Sequence, residues 1–411
     1  MKASTILLAR KIWKKLPLQA RHNLLLLSRL AAPAIDPTPS SAIEPIIVAG
    51  LLSTASGTGE AARLCLQALK LSGYAARGID LSGAFQQEDF KWTYPDARQS
   101  YGPGTLLVHL NAPLLSLGLI ALGSRLVRQK RVIGYWAWEL PTAPDGWRSA
   151  EPFLHSALVP SHFTANAVKP IIRRPVAVLP HPVLPLQLPM MTREQCGLPK
   201  DCFLVGCTFD VRSSLARKNP LGAVRAFRKA FADDPSKHFA LKISNFDSAP
   251  DQKRRFLREI TGLRNVSIHQ EIFSRPELQG WLANCDVVIS LHRAEGFGLV
   301  LSEAMQLGKA VVATNWSGNC EFMTPQNSAL VDFKLVPARD PDGTYNYPMQ
   351  SWADPDIDHA ADWLRRLAES PELRIQLGTR AMGDVERTLS SSAYSHRLLK
   401  LLGEQGARAG S

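Results

Sequence analysis

Residues 287–307 have the sequence VVISLHRAEGFGLVLSEAMQL, and this stretch decides the fold class. Val287 to Leu291 form an apolar run that predicts a buried strand, and a helical pattern begins at Gly298. The glycine-bracketed turn Gly296-Phe297-Gly298 lies between them. Glycine lets the backbone approach a ligand closely, and the free N–H groups at a helix start suit a phosphate. The stretch therefore predicts a strand–turn–helix unit with an anion site at its turn.

Two carboxylates flank this turn. Glu295 stands in the turn, and Glu303 follows with seven residues between them, inside the predicted helix. Carboxylates accept hydrogen bonds from the hydroxyl groups of a sugar or a ribose. We therefore predict hydroxyl recognition beside the phosphate site, the alternative being two solvated surface acids on the far side of the sheet.

A second motif, DVRSSLARKNP at residues 210–220, follows a predicted strand and opens a helix at Pro220. Cations at a helix start are unfavourable, because the helix dipole is positive at that end, unless an anion lies between them and the helix. A cationic pair here would neutralise a diphosphate leaving group. Lys218 is one member, Arg212 is the expected second member, and Arg217 is the alternative.

Short apolar runs and helical stretches alternate along most of the chain, which predicts α/β architecture with mostly parallel sheets. A proline-rich interval ending near Pro199 separates two such series. We predict two doubly wound, Rossmann-like domains facing across a cleft, since ligands bind such sheets at the carboxyl ends of the strands. The predicted divisions are a basic helical extension and linker, a first Rossmann-like domain, a second Rossmann-like domain and a helical tail packing back on the first domain, at residues 1–41, 42–197, 198–385 and 386–411.

The composition excludes other classes of protein. The chain has 411 residues, of which 45% are hydrophobic and 20% charged, so wholesale disorder and a coiled coil are excluded. No stretch approaches eighteen consecutive apolar residues, so a membrane-spanning helix is not expected. The six cysteines are scattered without metal-ligand spacing, which favours buried free thiols in a reducing compartment.

The net charge of +12 favours anionic partners, and seven of the cations lie in residues 1–35, which contain no acid. This segment predicts basic amphipathic helices, with a Pro/Ser linker after them, and lacks the apolar run of a signal peptide. Two roles remain open for it: docking onto the protein's own surface, or lying on anionic lipid.

With its Glu-x7-Glu pattern around Gly-Phe-Gly, and with Lys218 after an arginine, the sequence resembles the retaining GT-B glycosyltransferases of family 4, also called group 1. The resemblance covers about residues 45–390 and is stronger in the second half. It implies that the domain of residues 42–197 is the acceptor-side domain and that the domain of residues 198–385 binds the nucleotide sugar. It implies that Glu295, Arg212 and Lys218 act in catalysis, with Glu295 beside the donor sugar and Glu303 on the nucleotide ribose. It also implies further donor-binding residues: Gly296, Phe297, Gly298, Leu299, Val300, Arg217, Gly57 and Gly59.

The first domain departs from the family pattern. Many members end the strand equivalent to residues 132–136 with a histidine, where this chain has Tyr135-Trp136-Ala137-Trp138-Glu139. His109 and Asn111 end the preceding strand instead. The acceptor-side candidates are therefore His109, Asn111, Trp136, Trp138 and Glu139, with the two tryptophans either stacking on a sugar or packing in the core.

A rival fingerprint, Gly57-x-Gly59-x-x-Ala62 with Asp80 about 20 residues on, would suit a dinucleotide-binding oxidoreductase. Against it, six residues separate Gly57 from the end of the preceding strand, whereas a dinucleotide-binding turn follows its strand directly. A nucleotide-sugar epimerase, which needs no acceptor, and a non-catalytic nucleotide- or sugar-binding protein also remain open.

The leading prediction is a retaining transferase that moves a hexose-type sugar from a UDP- or GDP-sugar to a carbohydrate or lipid-linked saccharide in bacterial surface polysaccharide synthesis. We expect no cofactor besides the nucleotide sugar and no metal, because no Asp-x-Asp lies plausibly at the cleft. The acceptor proton would pass to the leaving phosphate; Glu295 as a covalent nucleophile stays an alternative. We expect a cytoplasmic location, peripheral contact with an anionic membrane and no nucleic-acid partner.

Overall fold

The computed structural model describes residues 27–92, 94, 100–187, 191–341 and 343–409. The described residues form two six-stranded parallel sheets, and each sheet is covered by helices. Strands such as Ile46–Gly50 are buried along their whole length, as expected for parallel sheets covered on both faces. The predicted fold class is confirmed.

The first sheet is formed by the N-terminal half of the chain. Its strands, in spatial order, are β2 (Ala76–Asp80), β1 (Ile46–Gly50), β3 (Gly104–His109), β4 (Lys130–Tyr135), β5 (Ser156–Val159) and β6 (Val176–Val178). The helices are α1 (Gly57–Leu71), α2 (Ser82–Phe85), α3 (Ala112–Leu122), α4 (Ser124–Val127) and α5 (His162–Val168), with 3-10 turns at Ser28–Leu30 and Asp145–Phe153. The order reverses at β1, beside the start of α1.

The second sheet has the spatial order β12 (Ala329–Val331), β11 (Ala310–Thr314), β10 (Val287–Ser290), β7 (Phe203–Asp210), β8 (Lys237–Ser244) and β9 (Val266–His269). Its helices are α6 (Leu215–Lys218), α7 (Pro220–Phe231), α8 (Pro250–Ile260), α9 (Arg275–Asn284), α10 (Leu299–Gln306) and α11 (Ile357–Glu369), with 3-10 turns at Val211–Ser213, Phe246–Ser248 and Gly318–Glu321. The order reverses between β7 and β10, which carry the two predicted motifs at their carboxyl ends.

Two long helices follow, α12 (Pro371–Leu389) and α13 (Ser391–Ala409). The second lies against α1 of the first domain, where Tyr394, Leu398 and Leu402 are buried in the same apolar cluster as Leu69. The last helix therefore packs on the first sheet, although it follows the second in sequence.

Residues 1–26, which carry most of the predicted basic helices, lie outside the described residues. The linker that follows lies on the first domain. Ala32 and Ile35 pack against its core, and the Arg131 guanidinium donates hydrogen bonds to the Ser40 carbonyl at 2.8 and 3.1 Å.

Several short elements differ from the predictions. The sequence patterns do not identify β6, β12 or the antiparallel hairpin of β13 (Phe333–Pro337) and β14 (Ser351–Pro355). Strands of three residues, as in β6 and β12, are too short to establish a pattern. The expectation of buried cysteines is wrong for Cys320, which is exposed in a surface 3-10 turn, and Cys202 is only half-buried.

Candidate active site

A cleft of about 1010 Å³ opens between the carboxyl ends of the two sheets, with walls from both domains. Its charged lining includes Lys218, Lys242 and Arg275 from the second domain, and Arg63 from the first. Carboxylates from both sides also face it, among them Glu60 and Glu295. Among the described residues, no group of His, Cys, Asp and Glu side chains is arranged to hold a metal ion.

The Gly296-Phe297-Gly298 turn lies in this cleft and is fixed from behind. The Phe297 ring is buried and contacts the rings of Phe322 and His181, with centroid distances of 4.8 and 5.1 Å. Gly298 has φ +102°, a conformation that favours glycine, and α10 begins directly after it. Within the described part of the chain, the backbone N–H groups of Leu299 and Val300 donate to no protein acceptor. They are available to an anion.

Gly318 holds the turn from its other side. A Cβ added to Gly318 would lie 2.1 Å from the carbonyl oxygen of Gly296. The Gly318 N–H donates to the Glu295 carbonyl at 2.8 Å, and the Glu295 N–H donates to the Ser317 hydroxyl at 2.8 Å. The loop after β11 therefore fixes the backbone of the candidate donor site.

The Glu295 carboxylate is buried and contacts two cations. The Lys218 ammonium lies 2.5 Å from one of its oxygens, and the Arg217 guanidinium lies 3.3 Å from the other. Burial by itself would raise the pKa of Glu295, but Lys218 and Arg217 outweigh it and hold that pKa at about 2. Glu295 is therefore ionised at neutral pH.

Arg217, the alternative to Arg212 as partner of Lys218, shares this carboxylate with Lys218, and both arginines line the cleft. Arg217 also donates to the Ala294 carbonyl at 2.7 Å, so it is fixed beneath the turn. Arg212 lies across the cleft, where its guanidinium donates to the Ala55 carbonyl at 2.5 Å and pairs with Asp89 at 3.2 Å. Spacing alone did not distinguish the two arginines, because Arg212 lies within the 3-10 turn Val211–Ser213 and Ser214, with φ +66°, redirects the chain before Arg217.

Glu303 lies on α10 and is buried beside Arg275, with 3.3 Å between the ions. Arg275 also contacts Glu60 of the first domain at 3.2 Å. Burial raises the pKa of Glu303 to about 7, since the favourable charge of Arg275 only partly compensates and Glu60 opposes it.

Arg275 and Glu60 are functional candidates that the sequence analysis missed. Arg275 is the first residue of α9, after the capping residue Ser274. A cation at that position is unfavourable without a nearby anion, which is the same signal that identified Lys218. The signal does not reveal that the anions come from two other helices.

Gly57 and Gly59 form the start of α1, which also faces the cleft. The N-capping Ser56 hydroxyl accepts the Gly59 N–H at 3.2 Å. A Cβ at Gly59 would lie 2.5 Å from the Thr54 carbonyl, whereas one at Gly57 would meet nothing within 4 Å. Asp80 of the rival dinucleotide fingerprint accepts N–H groups of Ser53 and Ser82, at 3.4 and 2.9 Å.

His109 is buried, lines the cleft and stacks on Tyr135 with 4.6 Å between ring centroids. Neither of its ring nitrogens has a partner among the described residues. Burial, together with His181, lowers the pKa of His109 to about 3, so the ring is neutral. Glu139 also lines the cleft and accepts the Tyr345 hydroxyl at 3.0 Å, whereas Asn111 accepts the Ala137 N–H at 2.9 Å.

Of the two roles left open for Trp136 and Trp138, the structure shows packing in the core. Both indoles are buried and pack edge-on against Trp147, with centroid distances of 5.6 and 5.3 Å. The Trp138 N–H donates to the Thr142 carbonyl at 2.9 Å. These large apolar rings are used in the core of the first domain, where they leave no face for a ligand.

Known proteins resemble the chain in both sequence and fold. Residues 214–347 match the family model described as glycosyl transferases group 1, and this segment contains Lys218 and the glycine turn. A D-inositol 3-phosphate glycosyltransferase of Paenarthrobacter aurescens is 37% identical over 76 residues, which are 18% of this chain and 19% of the relative. The chain thus matches about a fifth of that relative's length.

The similarity to solved structures extends over both domains. The Anabaena HepE structure in complex with UDP-glucose has a TM-score of 0.61 at 14% identity and covers 87% of this chain and 99% of that one. The sucrose-phosphate synthase of Thermosynechococcus elongatus has a TM-score of 0.60 at 14% identity and covers 88% and 99%. The chain has the GT-B fold. The family 4 subgroup and the retaining mode remain predictions.

Proposed function

We propose that the protein is a glycosyltransferase that moves a hexose-type sugar from a UDP- or GDP-sugar to a saccharide acceptor. One observation carries the proposal: the Lys218–Glu295–Arg217 cluster adjoins the unpartnered N–H groups at the start of α10. Cations and helix N–H groups stabilise a departing diphosphate, and a fixed carboxylate accepts sugar hydroxyls. The group 1 match and the UDP-glucose complex of HepE support the same donor class.

The proposed mechanism retains the anomeric configuration. Lys218, aided by the start of α10, would stabilise the leaving nucleoside diphosphate, while Glu295 orients the donor sugar. The acceptor hydroxyl would attack from the face that the diphosphate leaves, and its proton would pass to the leaving phosphate oxygen. His109, neutral and without a protein partner among the described residues, would contact the sugar or the acceptor. Since Lys218 and the helix supply positive charge, we propose that no metal is required.

We further propose a lipid-linked or polysaccharide acceptor at the inner face of the bacterial membrane. The basic extension of residues 1–35 supports this location. At its described end, Leu27 and Leu30 are 58% and 87% exposed. Basic residues beside exposed apolar ones suit an anionic lipid surface. Within the described residues, no helix has the length and apolar character needed to cross a membrane.

The proposal is tested by incubating the protein with a panel of nucleotide sugars, with and without saccharide and lipid-linked acceptors, and following released nucleoside diphosphate. We expect release that depends on the acceptor, a product with the donor's anomeric configuration by NMR, and full activity in EDTA. Conversion of the donor alone would indicate an epimerase, and donor binding without release would indicate a binding protein. Either result would overturn the proposal.

A further inference from the structure

Lys242 is a buried cation in the cleft that the proposed phosphate and sugar contacts do not use. The residue is only 5% exposed and lies near the end of β8. Its ammonium donates to the Ser244 hydroxyl and lies 5.1 Å from the centre of the Phe273 ring. No carboxylate of the described residues forms an ion pair with it, although lysine is rarely buried without one.

The charges of three acids act on Lys242, and none of the three forms an ion pair with it: Asp210, Glu271 and Glu277. Asp210 accepts the Asn245 amide at 2.9 Å and pairs with Arg212 at 3.3 Å. Glu277 accepts the Ser274 N–H at 2.6 Å in a helix cap. Burial lowers the pKa of Lys242 to about 8, because the negative charges of Asp210, Glu271 and Glu277 only partly compensate for it. The ammonium is therefore charged at neutral pH, although burial removes part of its solvation. A hydrogen bond to a ligand oxygen would compensate for the lost solvation.

Polar side chains continue across the sheet beside Lys242. Thr208 of β7 is its register partner, and Ser290 ends the next strand, β10. All three residues line the cleft, as does Phe273. Along the same face, Leu204, Ala240 and Val288 belong to one apolar cluster. A second polar group, made of His238, Ser267 and His269, lies on this face towards the edge strand β9. Thr208, Lys242 and Ser290 are the polar group of this face that lines the cleft, as polar side chains do in a ligand site.

The position of Lys242 separates it from the proposed phosphate site. The glycine turn follows β10, and β8 lies two strands away, which is about 10 Å at the usual strand spacing. Glu303, the proposed ribose ligand, pairs with Arg275 at the start of α9, and Phe273 precedes that helix. A nucleoside diphosphate with its phosphates at the turn and its ribose at Glu303 would extend its base towards Phe273 and Lys242.

We propose that Lys242 binds a keto oxygen on the base of the nucleotide donor and so selects uracil or guanine over adenine. The inference rests on the proposed function, because it assumes a nucleotide donor in the cleft. An ammonium has only hydrogen-bond donors, so it pairs with the keto oxygen of uracil or guanine and is mismatched with the amino group of adenine. The Phe273 ring, which lies beside the Lys242 ammonium, offers an apolar contact to the same base. A polar group left unpaired in a buried site is costly, which makes such a contact selective.

The test measures the affinities of UDP, GDP, ADP and inorganic pyrophosphate by calorimetry for the wild type, Lys242→Met and Lys309→Met. Lys309 is a matched control, because burial also lowers its pKa but it does not line the cleft. We expect UDP or GDP to bind the wild type at least 10-fold more tightly than ADP. Lys242→Met should lose that preference, while pyrophosphate affinity stays within 2-fold and Lys309→Met binds as wild type.

Three results would overturn the inference while leaving the proposed function intact. An equal loss of pyrophosphate affinity in Lys242→Met would make Lys242 a phosphate ligand. Unchanged nucleotide affinities with a lower melting temperature would make it a structural residue. Equal affinity of the wild type for ADP would remove the base selection. If no nucleoside diphosphate binds the wild type, the proposed function itself fails, and the inference with it.

Discussion

At the scale of single residues, charge pairing decides what each acidic group in the cleft can do. Glu295 has two cations within 3.3 Å, and its pKa is held at about 2. Glu303 has the single cation Arg275, which Glu60 also engages, and its pKa is raised to about 7. The pKa values of the two carboxylates are therefore shifted in opposite directions. Glu295 stays ionised at neutral pH, whereas the charge of Glu303 changes near neutral pH.

The affinity for the nucleotide donor should therefore depend on pH through Glu303. If Glu303 binds the ribose as the family resemblance implies, its ionised form accepts the ribose hydroxyls, so binding should be strongest above a pKa of about 7 and weaken as the pH falls through that value. Glu303→Gln should bind the donor about 10-fold more weakly at pH 8 and show little change between pH 6 and 8. Calorimetry of the two proteins across this range checks the prediction. A flat profile for the wild type would contradict it.

The sequence predicted the residues of the second-domain site better than those of the first. Glu295, Glu303 and Lys218 stand in local motifs next to strand ends, and the structure brings all three to one cleft. The Arg217–Glu295 and Arg275–Glu60 contacts join residues far apart in sequence, so no local pattern contains them. The sequence left the role of Trp136 and Trp138 open, because an aromatic residue after a strand suits a core and a ligand site equally.

At the scale of elements, two helix starts form the opposing walls of the cleft. Helix α10 presents unpartnered N–H groups, and α1 begins at Gly57 after a capped loop. The alternation of apolar runs predicted these long elements because each has enough residues to show its period. The hairpin of β13 and β14 escaped prediction, since its strands carry exposed and buried residues without regular alternation.

The start of α1 offers a matched pair of glycine substitutions. Gly59→Ala places a Cβ 2.5 Å from the Thr54 carbonyl and 2.6 Å from the Leu51 carbonyl, both backbone atoms that cannot move cheaply. We expect a loss of about 2 kcal/mol in the free energy of unfolding, typical of overpacking, and distortion of the cleft wall. Gly57→Ala meets nothing within 4 Å and should leave stability within about 0.5 kcal/mol. Denaturant unfolding of both variants checks this. Equal stabilities would contradict the packing argument.

At the scale of the whole molecule, side-chain contacts across the cleft join the two domains. Arg275 contacts Glu60 at 3.2 Å, Arg212 contacts Asp89 at 3.2 Å, and His162 contacts Glu321 at 3.0 Å. The last helix adds a larger apolar contact by returning to the first domain. The sequence predicted two domains and a cleft, but these contacts depend on how the domains face each other, which no local motif encodes.

The membrane proposal is tested by deleting residues 1–26, which leaves the docked linker in place. We expect the intact protein to co-sediment with anionic but not neutral vesicles, with release at high salt. The deletion should abolish vesicle binding and preserve the melting temperature. The proposal is contradicted if the intact protein does not bind anionic vesicles, or if the deletion lowers the melting temperature markedly. Either result would indicate that the segment packs against the protein itself and stabilises its fold.

The most direct test of the central claim is donor binding that depends on Lys218. Thermal shift measurements with a panel of UDP- and GDP-sugars should show at least one that stabilises the wild type, because a ligand of the native state raises the melting temperature. Lys218→Ala should lose most of that stabilisation, whereas Lys309→Ala, which changes a lysine outside the cleft, should retain it. Failure of every nucleotide sugar to stabilise the wild type, or equal stabilisation of Lys218→Ala, would contradict the account.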